Sequence, residues 1–361
     1  MSTSRKNIDI VDFEESLCFH GLCKPKTEFY TFEEVSRIRE KLDLTFPRLQ
    51  KKVQLFASFK GGTGKSSIAA SYGFRLAEMG YKLLIIDLDP QGHLSSCLGY
   101  DGAEYGSAFF DVLINRKPMK ESIIKTALPT LDLVPSNLTM APIDVHLMPL
   151  GAREYRLKRA LSEVRDDYDM VIMDAPPSMG LLSLNAVLSA DDLIIPALAD
   201  FLSYNGLRLI METIATIGED YSFQLNKIYV LMNRYNSHLK VCKDSKEALQ
   251  KYYGDYLLNT IIRECTEFSK AVSCGQTIFQ FCDTSRGAED IKSFLAEVIS
   301  QWPLEAAAFN QPCQVVPTQN QLLTQPVAEI LPAPWPAREN ADAKIADIPV
   351  AATPGRLIIP S

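Results

Sequence analysis

Nine residues, Phe59-Lys60-Gly61-Gly62-Thr63-Gly64-Lys65-Ser66-Ser67, restrict what this chain can fold into more than any other stretch. The apolar run Val53-Gln54-Leu55-Phe56-Ala57-Ser58-Phe59 precedes the turn and reads as a buried strand. Residues Ile68 to Met79 follow as a helix, stopped by Gly80. Strand, glycine-rich turn, helix is the setting a phosphate-binding loop requires. Gly61, Gly62 and Gly64 let the backbone curl until successive N–H groups point at phosphate oxygens, and the helix N-terminus adds its partial positive charge. In such a loop Lys65 reaches the β- and γ-phosphates and the Ser66 hydroxyl meets Mg²⁺, with Thr63 and Ser67 completing the cradle. Position 59 departs from the pattern: a glycine is asked for and Phe59 stands there, while Lys60 places a second cation at the mouth of the loop.

Two later apolar runs deliver carboxylates. Lys82-Leu-Leu-Ile-Ile-Asp87 is continuously apolar, as in a strand covered on both faces. It carries Asp87-Leu88-Asp89-Pro90-Gln91-Gly92 to the carboxyl edge of a sheet, where ligands bind in open α/β folds. Met170-Val-Ile-Met-Asp174 ends the same way, and Pro176-Pro177 then block helix continuation. Asp174 thus stands at a Walker B position, where a carboxylate holds Mg²⁺, often through water. Further strands are predicted at 131–135, 191–196, 227–232 and 256–262, with helical patterns between them, including 153–165 and 288–302. The alternation predicts an α/β fold: a doubly wound, mostly parallel sheet with right-handed crossovers.

The segments KGGTGKSS (60–67), IIDLDPQG (85–92) and VIMDAPPSMGLLSLNA (171–186) resemble the deviant Walker motifs of the ParA/MinD group of partition and positioning ATPases, in that group's order and spacing. The resemblance spans roughly residues 53–300 and is nearest to the ParA (Soj-like) branch. It implies a P-loop ATPase using ATP and Mg²⁺, with weak, partner-stimulated hydrolysis. By that resemblance Asp89 positions the attacking water, Asp87 supports the magnesium shell alongside Ser66 and Asp174, and Asn233 contacts the nucleotide. It also implies an ATP-bound homodimer in which Lys60 crosses to the partner's phosphates. In the ParA branch that dimer binds DNA without sequence preference, and a ParB-like or other cargo adaptor triggers hydrolysis, so the cargo is plasmid or chromosome. Two other readings stand beside it: a positioner of a protein cluster or surface machine that does not touch DNA, and a reductase-like relative with an iron–sulfur cluster. For the last, Cys97 lies near the right region, but no second cysteine falls at 125–140.

The net charge of −7 means that any nucleic-acid contact must come from a local patch. Segment 226–270 holds eight Lys and Arg against five Asp and Glu, and Lys240, Lys243 and Lys270 are its DNA-binding candidates. A solvated face is the competing reading. Where the family pattern leads one to expect an arginine, Glu267 stands instead, and a carboxylate opposes phosphate contact.

The ends of the chain differ from its middle. In the extension 1–50, Cys18, His20 and Cys23 read either as three zinc ligands without a fourth or as part of a flexible arm. Thr31-Phe-Glu-Glu34 is a capping box opening a helical pair, either a helix-turn-helix remnant or plain packing elements. The ATPase domain is expected over 51–302. Ten of the 21 prolines fall in 303–361, which reads as a disordered tail. The eight scattered cysteines suggest reduced thiols in the cytoplasm, or at the nucleoid if DNA is bound. No apolar run approaches 18 residues, so no stable membrane insertion is expected.

Overall fold

β1 (Lys52–Phe56) occupies the interior of an eight-stranded sheet, buried on both faces. The computed structural model describes residues 50–302; the zinc and helical-pair expectations for the first 49 residues and the tail expectation for 303–361 lie outside them. The other strands are β2 (Leu83–Asp87), β3 (Ile124–Lys125), β4 (Leu131–Val134), β5 (Met170–Asp174), β6 (Asp192–Leu198), β7 (Lys227–Tyr235) and β8 (Leu257–Arg263). Their order is β3-β4-β2-β5-β1-β6-β7-β8, and every neighbouring pair is parallel except β3 with β4. The expected doubly wound sheet is therefore present. Its one antiparallel edge strand, β3, is too short to leave a period in the sequence.

Eleven α-helices are described: α1 (Lys65–Glu78), α2 (His93–Cys97), α3 (Ala108–Asn115), α4 (Ile143–Leu147), α5 (Arg156–Ser162), α6 (Leu181–Ser189), α7 (Phe201–Tyr221), α8 (Lys240–Tyr253), α9 (Thr266–Ser273), α10 (Ile278–Cys282) and α11 (Arg286–Ser300). α1, α2, α10 and α11 pack together on one face of the sheet; α3, α5 and α6 pack together on the other. The first face carries the main core, in which Phe56, Ile85 and Ile172 meet Tyr72, Ile291 and Phe294. Tyr72 stacks edge-on against Phe56 at 5.7 Å and lies tilted against Phe294 at 5.0 Å. α1 lies unusually close to the sheet at Gly73, where an added Cβ would come within 2.6 Å of Ile85 Cδ1 and 3.0 Å of Ile172 Cδ1.

One expected element is corrected. The charged stretch 153–165 is not a single helix: a 3₁₀ turn at Arg153–Tyr155 leads into the short α5, and a second 3₁₀ turn follows at Arg165–Asp167. The reason is tertiary. Asn185 of α6 accepts from Leu157 N at 3.1 Å and donates to Arg153 O at 2.8 Å, taking up groups a continuous helix would use internally.

Candidate functional site

The carboxyl ends of β1, β2, β5 and β7 converge on one edge of the sheet and carry the predicted residues there. After Phe56 the chain leaves the sheet and forms an open loop up to Gly64. Gly62 and Gly64 hold φ of +76° and +81°, a region glycine enters without steric cost. Gly64 is doubly required, because a Cβ would lie 2.5 Å from Asn233 Nδ2. Ser58, not anticipated from the sequence, braces the loop from beneath by hydrogen bonds to Thr63 Oγ1 (2.9 Å) and Lys60 O (3.1 Å). Asn233, at the end of β7, donates to Thr63 O at 2.6 Å.

α1 begins at Lys65 with Gly64 as N-cap, no side chain capping it and no acidic residue in its first turn. Its free N–H groups and positive dipole end are left for an external anion. Lys65 is buried, and its Nζ meets Asp174 Oδ1 at 2.5 Å. Asp174 itself is fully buried, and its Oδ2 has no hydrogen-bond partner. Burial raises the Asp174 pKa against the opposing pull of Lys65 and Ser66.

Asp87 sits beside Asp174 in register across the β2–β5 ladder. Burial, then the Asp174 charge, pushes it up to about 7 against the donors from Ser95. Both its oxygens are occupied: Oδ1 accepts from Asp89 N (3.1 Å), and Oδ2 accepts from Ser95 N (2.9 Å) and Ser95 Oγ (2.8 Å). Asp87 therefore fixes the backbone of Asp89 and Ser95. The free carboxylate oxygen of the pair belongs to Asp174. Asp89 is buried and accepts from Gln91 N at 3.0 Å, forming a tight turn at the edge.

These features fit a magnesium nucleotide. Gly61 and Gly62 have open space where a side chain would be, and Asp174 presents an unpaired buried oxygen beside the Ser66 side chain. Among the described residues no cluster of three His, Cys, Asp or Glu could hold a metal unaided. Mg²⁺ takes one or two carboxylates and fills its shell with phosphate oxygens and water, and Asp174 with the Ser66 side chain beside it offers such a start. A cavity of about 470 Å³, bordered by Gly64, Ser67, Asn233, Arg234 and Thr266, opens beside the loop and has room for a nucleoside. Arg234 holds φ +52°, uncommon for a non-glycine residue, with its N–H bonded to Asn233 Oδ1 at 2.8 Å.

Lys60 points elsewhere. Its Nζ pairs with Asp200 Oδ2 at 2.7 Å, both side chains being about a third exposed. Asp200 also caps α7 by accepting from Ser203 N at 2.7 Å. Lys240, Lys243 and Lys270 are all exposed, Lys240 and Lys243 on α8 and Lys270 on α9. Lys270 lies 3.7 Å from Glu267, one turn earlier on the same helix, and Arg263 is paired with Asp290 at 2.7 Å and Glu289 at 3.5 Å. Cys97 is buried with its thiol pushed up to about 12 by desolvation, so it stays protonated. Among the described residues no helix is long and apolar enough to cross a membrane.

Comparisons with known proteins point the same way. The sequence profile of an AAA domain matches residues 51–227. The cell division protein PomZ of Myxococcus xanthus is 45% identical over 282 residues, covering 78% of this chain and 88% of PomZ. The sporulation initiation inhibitor protein Soj of Bacillus subtilis is 32% identical over 247 residues, covering 68% of this chain and 98% of Soj. Among solved structures, a cobyrinic acid a,c-diamide synthase from Mycobacterium smegmatis with bound ATP analog and magnesium superposes with a TM-score of 0.60 at 28% identity, covering 69% of this chain and 94% of that one.

Proposed function

Because the chain belongs to the ParA/MinD family of ATPases, we propose that it is a nucleotide-switched positioning or partition ATPase whose ATP-bound form is a face-to-face homodimer. It hydrolyses ATP with Mg²⁺ as cofactor. The observation that carries the reading is the buried Lys65–Asp174 pair beneath an uncapped helix N-terminus, with one Asp174 oxygen left free. Lys65 and the N–H groups of Gly61 to Ser67 hold the phosphates, while Ser66 and Asp174 hold the metal. Bound Mg²⁺ supplies charge neutralisation at the phosphate oxygens. Asp89, kept in place by Asp87, orients the attacking water. Lys60 exchanges Asp200 for the phosphates of a second copy, adding the cation that stabilises charge on the transferred group.

The ATP dimer binds DNA without sequence preference, and a ParB-like or other cargo adaptor stimulates hydrolysis. A second reading, positioning of a protein cluster without DNA contact, is favoured by the Glu267–Lys270 and Arg263–Asp290 pairs, which draw cations away from a DNA-facing surface. The cycle is tested with Asp89→Ala in sedimentation with Mg·ATP and in a phosphate-release assay. Dimers should accumulate and turnover should stop; turnover at the wild-type rate would overturn the water-positioning role.

A further inference from the structure

We propose that a cavity between α3 and α5, on the sheet face away from α1, binds a phosphate-type dianion through Arg116, Arg156 and Arg159. The cavity measures about 140 Å³. Arg156 is 8% exposed, and its guanidinium reaches only backbone carbonyls. Its Nη1 is 3.5 Å from Leu113 O and 3.3 Å from Ile114 O, its Nη2 is 3.4 Å from Gly151 O, and its Nε has no partner. These distances lie at the long edge of hydrogen bonding. Two of the carbonyls belong to the last turn of α3, whose negative dipole end offsets only part of a full charge. A guanidinium this buried is ordinarily paired with an anion.

The neighbours add charge of the same sign. Arg116 follows α3 with φ +57° and lines the cavity, as does Arg159 one turn along α5 from Arg156. Burial and the charges of Arg116 and Arg159 lower the Arg156 pKa, the electrostatic mark of a cation without its counterion. Among the described residues no carboxylate forms an ion pair with any of the three. Lys117, also on the rim, is occupied by Asp111 at 2.7 Å. The one carboxylate lining the cavity is Glu163, whose Oε2 accepts from Met119 N at 3.0 Å. Three guanidinium groups, Arg156 buried and Arg116 and Arg159 exposed at the rim, face one carboxylate, an excess of two positive charges. A phosphate group, carrying roughly −1.5 to −2 at neutral pH, meets them; a single carboxylate does not. None of the lining residues belongs to the phosphate loop, so this is a second oxyanion site.

The test titrates the full chain with inorganic phosphate at constant ionic strength, with saturating Mg·ADP filling the nucleotide loop, and follows the thermal unfolding midpoint. A saturable rise is expected. Arg159→Ala, an exposed position that leaves the core intact, should weaken phosphate binding by about 10-fold or more, the usual loss for a charge-assisted contact. Arg116→Ala should act in the same direction, and Arg156→Met should abolish the response if that variant folds. A flat phosphate titration, or a wild-type response from Arg159→Ala and Arg116→Ala, would overturn the site. Acetate binding as tightly as phosphate would overturn the dianion assignment.

Discussion

Lys60 and Lys65 share one loop, yet their surroundings assign them different freedom. Lys65 is 7% exposed and bonded to a carboxylate with no exposure at all, so its removal leaves a buried charge without compensation. Lys60 is 32% exposed on an Asp200 that is 38% exposed, and a pair so open to water contributes about 0–1 kcal/mol. The first lysine is therefore held in place beneath the loop, and the second is held only weakly. Lys65→Ala should weaken ATP binding by about 100-fold or more in titration calorimetry, since two charge-assisted contacts are lost together; unchanged affinity contradicts the assignment. Lys60→Ala should bind Mg·ATP as a monomer and fail to dimerise. Intact ATP-dependent dimers in sedimentation would rule out the crossing role for Lys60.

At the scale of elements, the placement of the loop depends on how closely α1 lies on the sheet. Gly73 permits that approach, because any side chain there meets Ile85 and Ile172. Gly73→Val should cost about 1–3 kcal/mol through overpacking, read from denaturant unfolding; an unchanged midpoint would show that the helix can lift without cost. The glycine turn, the apolar runs ending in Asp87 and Asp174, and the packed face of α11 were all legible in the sequence, because each is a local pattern of period or composition. What was not legible depends on contacts between distant segments. Asp200 is separated from Lys60 by 140 residues, and no spacing rule joins them. Asn185 ends the helical reading of 153–165 from another helix, and Ser95 donates to Asp87 Oδ2 from the helix after the turn. The arginine cavity follows the same logic: Arg116 comes from the end of α3 and Arg156 and Arg159 from α5, and only the packing of the two helices brings them together.

For the whole molecule, a chain of net charge −7 can hold DNA only through a local cationic patch. Lys240 and Lys243 are exposed and make no ion pair among the described residues, whereas Lys270 shares its charge with Glu267 and Arg263 is held by Asp290. The available surface is thus a few lysines, doubled in the proposed dimer. Binding through phosphates displaces condensed counterions, so affinity should fall steeply with salt, by a log–log slope of about 0.9 per contact. Lys240→Glu and Lys270→Glu should weaken binding and flatten that slope while leaving basal ATP hydrolysis unchanged, because neither touches the loop. Glu267→Arg should strengthen binding for two reasons that add: it removes a carboxylate from the phosphate-facing side, and it releases Lys270 from the pair at 3.7 Å. The deciding measurement is duplex binding by the ATP-locked Asp89→Ala dimer at about 50 mM salt, where phosphate contacts are strong. Saturable, salt-sensitive binding that Glu267→Arg improves would assign this surface to DNA. Its absence would hand the same dimer to a protein cargo, with the Glu267–Lys270 pair as the reason the phosphate backbone is refused.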